Sequence, residues 1–189
     1  MKRNLKDIEE NLRAYVKKDA GYHFEGKRHA VDLVIIAGDK LLLIQRLFGP
    51  FGYALPGGMV EKGEKPGEAA LRELKEETGL QLSKGDLHYI GKFDKEGRDP
   101  RGIVVSDAFL VVLDKAPEVK EGDDAGLAKW ISMKEVNRLI ENSRVLTNEE
   151  KNEKMIRGEL TNYDILAFDH WKIIEKALKI LQKVYKSIK

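Results

Sequence analysis

Residues 30–46, AVDLVIIAGDKLLLIQR, set two strongly apolar runs on either side of a Gly38-Asp39 connection. Two such runs joined by a glycine-containing two-residue turn read as a β-hairpin, and the rest of the chain has to be arranged around it. Further strands are expected over GYHFEG (21–26, brief), LHYIGKFD (87–94), GIVVSDAFLVVL (102–113) and LAKWI (127–131). The segment FGPFGYALPGG between the hairpin and residue 59 is too rich in Gly and Pro to be helical.

Helical signals alternate with these strands. Pro66 suits a first helical turn and Gly79 a stop, which predicts a helix from Lys65 to Thr78. Ser132 with Glu135 is a capping-box signal for a helix beginning SMKEVNRLI. Leu5, Ile8, Leu12 and Val16 recur at helical intervals near the start. From Ile165 onward Phe168, Ile173, Ile174, Ala177, Leu178, Leu181, Val184, Tyr185 and Ile188 mark one apolar face. A mixed sheet with one helix inserted mid-chain and helices at the end is an α+β arrangement, an α/β/α sandwich with C-terminal helices.

A length of 189 residues fits one domain over 1–189, with no repeat or linker evident. The 34 basic and 32 acidic residues leave a net charge of +2, no global reason to invoke nucleic acid or an anionic membrane. There is no cysteine, so any metal must sit on oxygen or imidazole ligands. The charged start, MKRNLKDIEENLRAYVKKDAG, lacks the apolar core of a secretory signal, and no apolar run reaches bilayer-spanning length. A cytoplasmic protein is expected.

The charged stretch GGMVEKGEKPGEAALRELKEETGL (57–80) carries the chemistry. With Glu73 at zero on a helical wheel, Glu77 falls near about 40° and Glu76 near about −60°, with Ala69 and Ala70 in the same sector. Leu71, Leu74 and Thr78 form a flank expected to face the core. Three close glutamates on a lysine-rich helix are usually a solvated face. As a functional cluster they repel one another unless a cation sits there, and an oxygen-only set with small neighbours suits Mg²⁺ shared with a phosphate substrate.

The full spacing decides between these readings. Gly58, Glu64, Arg72, Glu73, Glu76, Glu77 and Gly79, with Leu74 and Leu80 at the aliphatic positions, follow the pattern G-x5-E-x7-R-E-U-x-E-E-x-G-U, U being aliphatic. The stretch resembles the Nudix box without departures. That resemblance implies a Nudix hydrolase cleaving a nucleoside diphosphate linked to another moiety, with Mg²⁺ as cofactor and Mn²⁺ as an alternative. It implies Glu73 and Glu77 as metal ligands, Glu76 as a ligand or neighbouring acid, and the Gly57 carbonyl as a further ligand. Glu64 and Arg72 would pair to hold loop against helix, and Gly58 would line the substrate. The general base is either a box glutamate or a downstream carboxylate among Glu121, Asp123 and Asp124.

RDPRG (98–102) and LAFDH (166–170) resemble the corresponding stretches of ADP-ribose pyrophosphatases, which implies hydrolysis of ADP-ribose to AMP and ribose 5-phosphate. Arg28, Arg46, Arg98, Asp99 and Arg101 are then the candidate substrate contacts, since guanidinium groups make planar paired contacts to phosphate oxygens. Phe24, Phe51 and Tyr53 could stack an adenine. The same resemblance implies a homodimer to which residues 1–29 contribute, with 58–80 as the box and 145–189 as a C-terminal helical extension. Pyrophosphatases of nucleoside triphosphates, dinucleoside polyphosphates or other nucleotide sugars share the box and stay open as alternatives. So does an ADP-ribose-sensing transcriptional regulator. Lys172, Lys176, Lys179, Lys183 and Lys186 form a basic run on the last helix, but without winged-helix punctuation it reads as a solvated face.

Overall fold

The computed structural model describes residues 23–24, 27–46, 49–119 and 127–187. In chain order these form β1 (His23–Phe24), β2 (Lys27–Ala37), β3 (Lys40–Gln45), β4 (Tyr53–Ala54), α1 (Pro66–Thr78), a 3-10 turn (Lys84–Asp86), β5 (His88–Phe93), β6 (Val104–Leu113), β7 (Leu127–Ser132), α2 (Met133–Arg144), α3 (Asn148–Ile156) and α4 (His170–Ser187). The expected helix over 1–20 lies outside the described residues.

The hairpin forms, and its two strands soon part. β2 and β3 pair antiparallel only near the turn, at Ile36 with Leu41 and Ala37 with Lys40. On its other edge β2 runs parallel to β6 from Arg28 opposite Val104 to Ala37 opposite Leu113. β3 is bordered along its full length by antiparallel β7, and β5 closes the far side against β6.

The gap where β2 and β3 diverge is filled by residues 53–60. Tyr53 and Ala54 pair with Gln45 and Ile44 of β3. The chain then crosses over to β2, where Leu33 N–H donates to Pro56 O at 2.8 Å, Val31 N–H to Gly58 O at 2.9 Å, and Val60 N–H to His29 O at 2.8 Å. The Gly-Pro-rich stretch is therefore an irregular bridging strip inside the sheet.

Strand alternation sorts the core into two layers. Val31, Leu33 and Ile35 join Leu42, Ile44, Phe109 and Val111 beneath α1. Val34 and Ile36 join Leu41, Leu43, Ala108 and Leu110 beneath α2 and α4. Helices thus cover both faces of a mixed sheet, as the sequence implied.

Two local expectations change. Ser132 Oγ accepts the Glu135 N–H at 3.3 Å, but the Glu135 carboxylate turns to Arg138 at 2.6 Å, so only half of the expected capping box forms. The last helix starts at His170, because Phe168 adopts φ 53°, outside helical space. Residues 165–167 instead run beside Tyr53, with Tyr53 N–H donating to Ile165 O at 2.9 Å and Ala167 N–H to Tyr53 O at 2.8 Å. Helix α3, with little apolar periodicity, is set by a reciprocal cap: Thr147 Oγ accepts Glu150 N–H at 3.2 Å and Glu150 Oε2 accepts Thr147 N–H at 2.7 Å. No helix among the described residues is long and apolar enough to cross a membrane.

Candidate functional site

Helix α1 starts at Pro66, with the Glu68 carboxylate accepting Lys65 N–H at 3.1 Å, and stops at Gly79, whose φ of 72° lets its N–H return to Lys75 O at 2.9 Å. It lies on β2 through Ala69, Ala70 and Leu74, all fully buried. Two expectations are corrected here. The alanines do not leave room for phosphate; their small side chains let the helix approach the sheet closely. Leu71 is only half-buried, and the buried flank is Ala69, Ala70, Leu74 and Thr78.

That close approach brings two carboxylates onto the bridging strip. Gly57 N–H donates to Glu77 Oε2 at 2.9 Å. A Cβ on Gly58 would overlap the Glu73 carboxylate, and one on Gly57, at φ 150°, would overlap Val31 O. Along an extended strip alternate residues turn their N–H and C=O to opposite sides. Pro56 and Gly58 spend their carbonyls on β2, so the carbonyl of Gly57 shares the side of its own N–H, toward α1.

Burial disfavours charge on both acids. It is the main cause that pushes Glu77 up to about 8, reinforced by the Glu73 and Asp32 charges and partly offset by the Gly57 N–H and the Arg46 charge. Glu73 is likewise raised, chiefly by burial, with Arg72 opposing. Two desolvated carboxylates beside a backbone carbonyl fit a hard divalent cation, whose charge would offset the burial penalty.

Arg72 organises the other side of the helix. Its guanidinium donates to both Glu64 oxygens at 3.0 and 2.9 Å, to Met59 O at 2.9 Å, to Glu73 at 2.8 Å and to Glu76 at 3.2 Å. Loop and helix are thereby joined as expected geometrically. Glu76, expected as a ligand or neighbouring acid, has a side chain that is 58% exposed and lies 3.2 Å from Arg72. Among the described residues no group of three or more His, Asp or Glu side chains is gathered as a metal cluster. The candidate cation seat is therefore Glu73, Glu77 and Gly57.

Arg46, whose charge reaches Glu77, joins a second cluster drawn from residues 97–103 and 165–170. Arg46 Nε donates to Pro50 O at 2.7 Å, and the guanidinium groups of Arg46 and Arg101 each lie 5.0 Å from the Phe168 ring centre. Arg101 is chelated by Asp99, with Nε at 2.9 Å and Nη2 at 2.7 Å from its two oxygens. Burial opposes ionisation of Asp99, but Arg101, helped by the Arg28 charge, outweighs it and holds the acid below the usual carboxylate range. Arg28 is itself buried beside Gly102.

Arg98 is also corrected as a direct phosphate contact. It is buried between Asp169 Oδ1 at 3.0 Å and Asp32 Oδ2 at 3.5 Å. Asp32 Oδ2 further accepts Ser106 Oγ–H at 2.5 Å, and Asp32 Oδ1 lies 3.3 Å from His170 Nε2. Sequence reasoning missed Asp32 and Ser106, and it singled out Asp169 and His170 only as part of LAFDH, without roles. The available signal was Asp32 itself, a charge in the middle of AVDLVIIA that has to find a buried partner.

Phe51 and Tyr53 are buried at 7% and 5% exposure, Tyr53 packing edge-on to Tyr163, so neither offers a free face for a base. The side chain of Phe24, together with Glu121, Asp123 and Asp124, lies outside the described residues. Lys176, Lys179 and Lys183 are exposed along α4, as a solvated face requires.

Comparison with known proteins gives a consistent set of likenesses. The family model described as NUDIX domain matches residues 26–153. ADP-ribose pyrophosphatase of Methanocaldococcus jannaschii is 38% identical over 152 residues, spanning 79% of this chain and 72% of that protein. A MutT/nudix family protein from Enterococcus faecalis superposes with a TM-score of 0.64 at 27% identity, covering 96% of this chain and 70% of the other. A bifunctional NMN adenylyltransferase/ADP ribose pyrophosphatase from Francisella tularensis, crystallised with AMP and a Mn ion, superposes with a TM-score of 0.60 at 29% identity, covering 92% of this chain and 46% of that one.

Proposed function

The chain belongs to the NUDIX family, and we propose that it hydrolyses the diphosphate of ADP-ribose, releasing AMP and ribose 5-phosphate. The observation that carries the reaction class is the meeting of Glu73 and Glu77 with the Gly57-Gly58 backbone. The substrate choice is supported by the ADP-ribose pyrophosphatase that shares 38% identity over most of both chains.

Glu73, Glu77 and the Gly57 carbonyl would hold Mg²⁺, with Mn²⁺ as an alternative. When bound, the ion supplies charge neutralisation and polarisation of the phosphoryl oxygens. The remaining work falls to the chain. Arg72 keeps the Glu64 loop and the Glu73 carboxylate in register. Arg46 brings positive charge to the edge of the seat, where its influence reaches Glu77. The Asp99-Arg101 pair stiffens the 97–103 loop beside Phe168. Water attacks one phosphorus, the bridging P–O bond breaks, and the two monophosphates leave.

A product-resolved screen of ADP-ribose, NADH, ADP-sugars, deoxynucleoside triphosphates and diadenosine polyphosphates with Mg²⁺ tests this reading. ADP-ribose turned over to AMP and ribose 5-phosphate is expected. Turnover of triphosphates without ADP-ribose would reassign the substrate, and no Mg²⁺-dependent turnover of any of them would overturn the reaction class. We also propose a homodimer, by analogy within the family, which light scattering tests directly.

A further inference from the structure

Leu55 sits where the bridging strip has left one strand and not yet joined the next. Ala54, opposite Ile44, is its last pair with β3, and Pro56 O, accepting from Leu33 N–H, makes its first bond to β2. At that crossing the Leu55 N–H has no strand partner, and a buried donor without an acceptor is strongly disfavoured. The acceptor is supplied from 115 residues away: His170 Nδ1, at the first position of α4, takes the Leu55 N–H at 2.9 Å. The histidine is 4% exposed.

Since Nδ1 accepts, the neutral ring carries its proton on Nε2, and that nitrogen faces Asp32 Oδ1 at 3.3 Å. Asp32 lies on β2 between Val31 and Leu33, the two residues whose N–H groups hold the Gly58 and Pro56 carbonyls. The peptide of Gly57 is therefore stretched between three fixed points: His170 before it, and β2 on either side.

We propose that His170, oriented by Asp32, is a positioning residue for the cation and diphosphate seat, fixing the path on which Gly57 meets Glu73 and Glu77. The inference rests on the proposed function, in which those three residues hold the ion. His170 touches neither the ion nor the substrate in this arrangement. Through Asp32 and Arg98 the same buried network reaches Asp169 and the 97–103 loop.

Two substitutions separate the acceptor from the bulk of the ring. His170→Asn offers an oxygen close to the position of Nδ1, whereas His170→Gln reaches toward Asp32 and leaves Leu55 unserved. Binding of Mn²⁺ alone to the full chain, without substrate, is read by electron paramagnetic resonance well below each variant's melting temperature. His170→Gln should bind Mn²⁺ about tenfold more weakly than wild type, and His170→Asn within about threefold of it. Wild-type affinity in a folded His170→Gln variant, or equal weakening in both variants, overturns the positioning role. If His170→Gln does not fold, His170→Asn decides alone: near-wild-type binding supports the role and a tenfold loss overturns it. A wild-type chain that binds no Mn²⁺ would overturn this role together with the proposed function, whereas binding by wild type with no effect of His170→Gln overturns this role only.

Discussion

Arg72 grips both carboxylate oxygens of Glu64, eight residues before it, with Nε at 3.0 Å from one and Nη2 at 2.9 Å from the other. The same Nη2 also holds Met59 O at 2.9 Å, so one planar group ties the loop at two points to the helix that carries Glu73 and Glu77. The fork geometry of guanidinium is what makes this arrangement possible; an ammonium group has no matching plane.

Arg72→Lys should therefore lower catalytic efficiency by roughly 10–100-fold, the usual cost of losing a partner that orients a metal ligand. Glu64→Gln should fall in the same range. Steady-state kinetics at saturating Mg²⁺ checks both, and efficiency within twofold of wild type for either would remove the loop-pinning role.

Glu77 gives a pH-dependent prediction. Its carboxyl stands at about 8 in the folded, ion-free chain against an ordinary 4.5. The folded state thus holds more protons than the unfolded state between these values, and the stability contribution falls as pH rises through that window. Glu77→Gln abolishes the dependence. Without divalent ions the variant should melt at least about 2–4 °C above wild type near about pH 8.5, the shift of roughly 1 kcal/mol in a chain of this size, and match it near about pH 4.5. Added Mg²⁺ should raise the melting point of wild type alone, and the variant should lose activity by more than about a hundredfold. Differential scanning calorimetry across pH, with and without Mg²⁺, is the measurement.

Two glycines ahead of α1, Gly58 and Gly63, should behave differently. Gly58→Ala drives a methyl group into the Glu73 carboxylate. It should weaken Mn²⁺ binding by about tenfold or more while leaving the circular dichroism spectrum of the fold intact. Gly63 has φ 84° with nothing within 4 Å of an added Cβ. Gly63→Ala should cost only the backbone strain, about 1–2 kcal/mol, with activity per folded molecule unchanged.

Arg98, buried between Asp32 and Asp169, should act on stability. Arg98→Met should destabilise the chain by about 3–5 kcal/mol, because two buried carboxylates lose their counter-charge. Urea denaturation checks this. A raised KM with unchanged stability would instead make Arg98 a substrate contact.

The parts legible in the sequence are those that depend on short-range periodicity. Spacings of three and four residues placed Glu73, Glu76 and Glu77 on one side of a helix, and apolar runs marked β2, β3 and β6. The wheel did not separate the two roles open to Glu76, ligand or neighbouring acid. At about −60° it lies nearer Arg72, at about −100°, than Glu77, and the side chain went to the arginine. Ala69 and Ala70 were placed on the right sector, yet small side chains mark close packing as readily as open space. Arg98 shows the other boundary. Whether a guanidinium is free or committed depends on carboxylates brought in by the fold, one of them Asp169, 71 residues downstream of Arg98. No local pattern encodes that pairing.

The parallel pairing of β2 with β6 has a consequence for how the protein comes into being. α1 and the bridging strip both lie within the chain segment that closes when Arg28 meets Val104. Pairing partners this distant in sequence costs loop-closure entropy before the contact returns any gain. During synthesis the ion-binding carboxylates leave the ribosome well before the strand that completes the sheet beneath them, and His170 emerges later still. A chain ending before β6 would carry the whole box sequence but lack the strand that pairs with β2 from Arg28 to Ala37 in the sheet beneath α1.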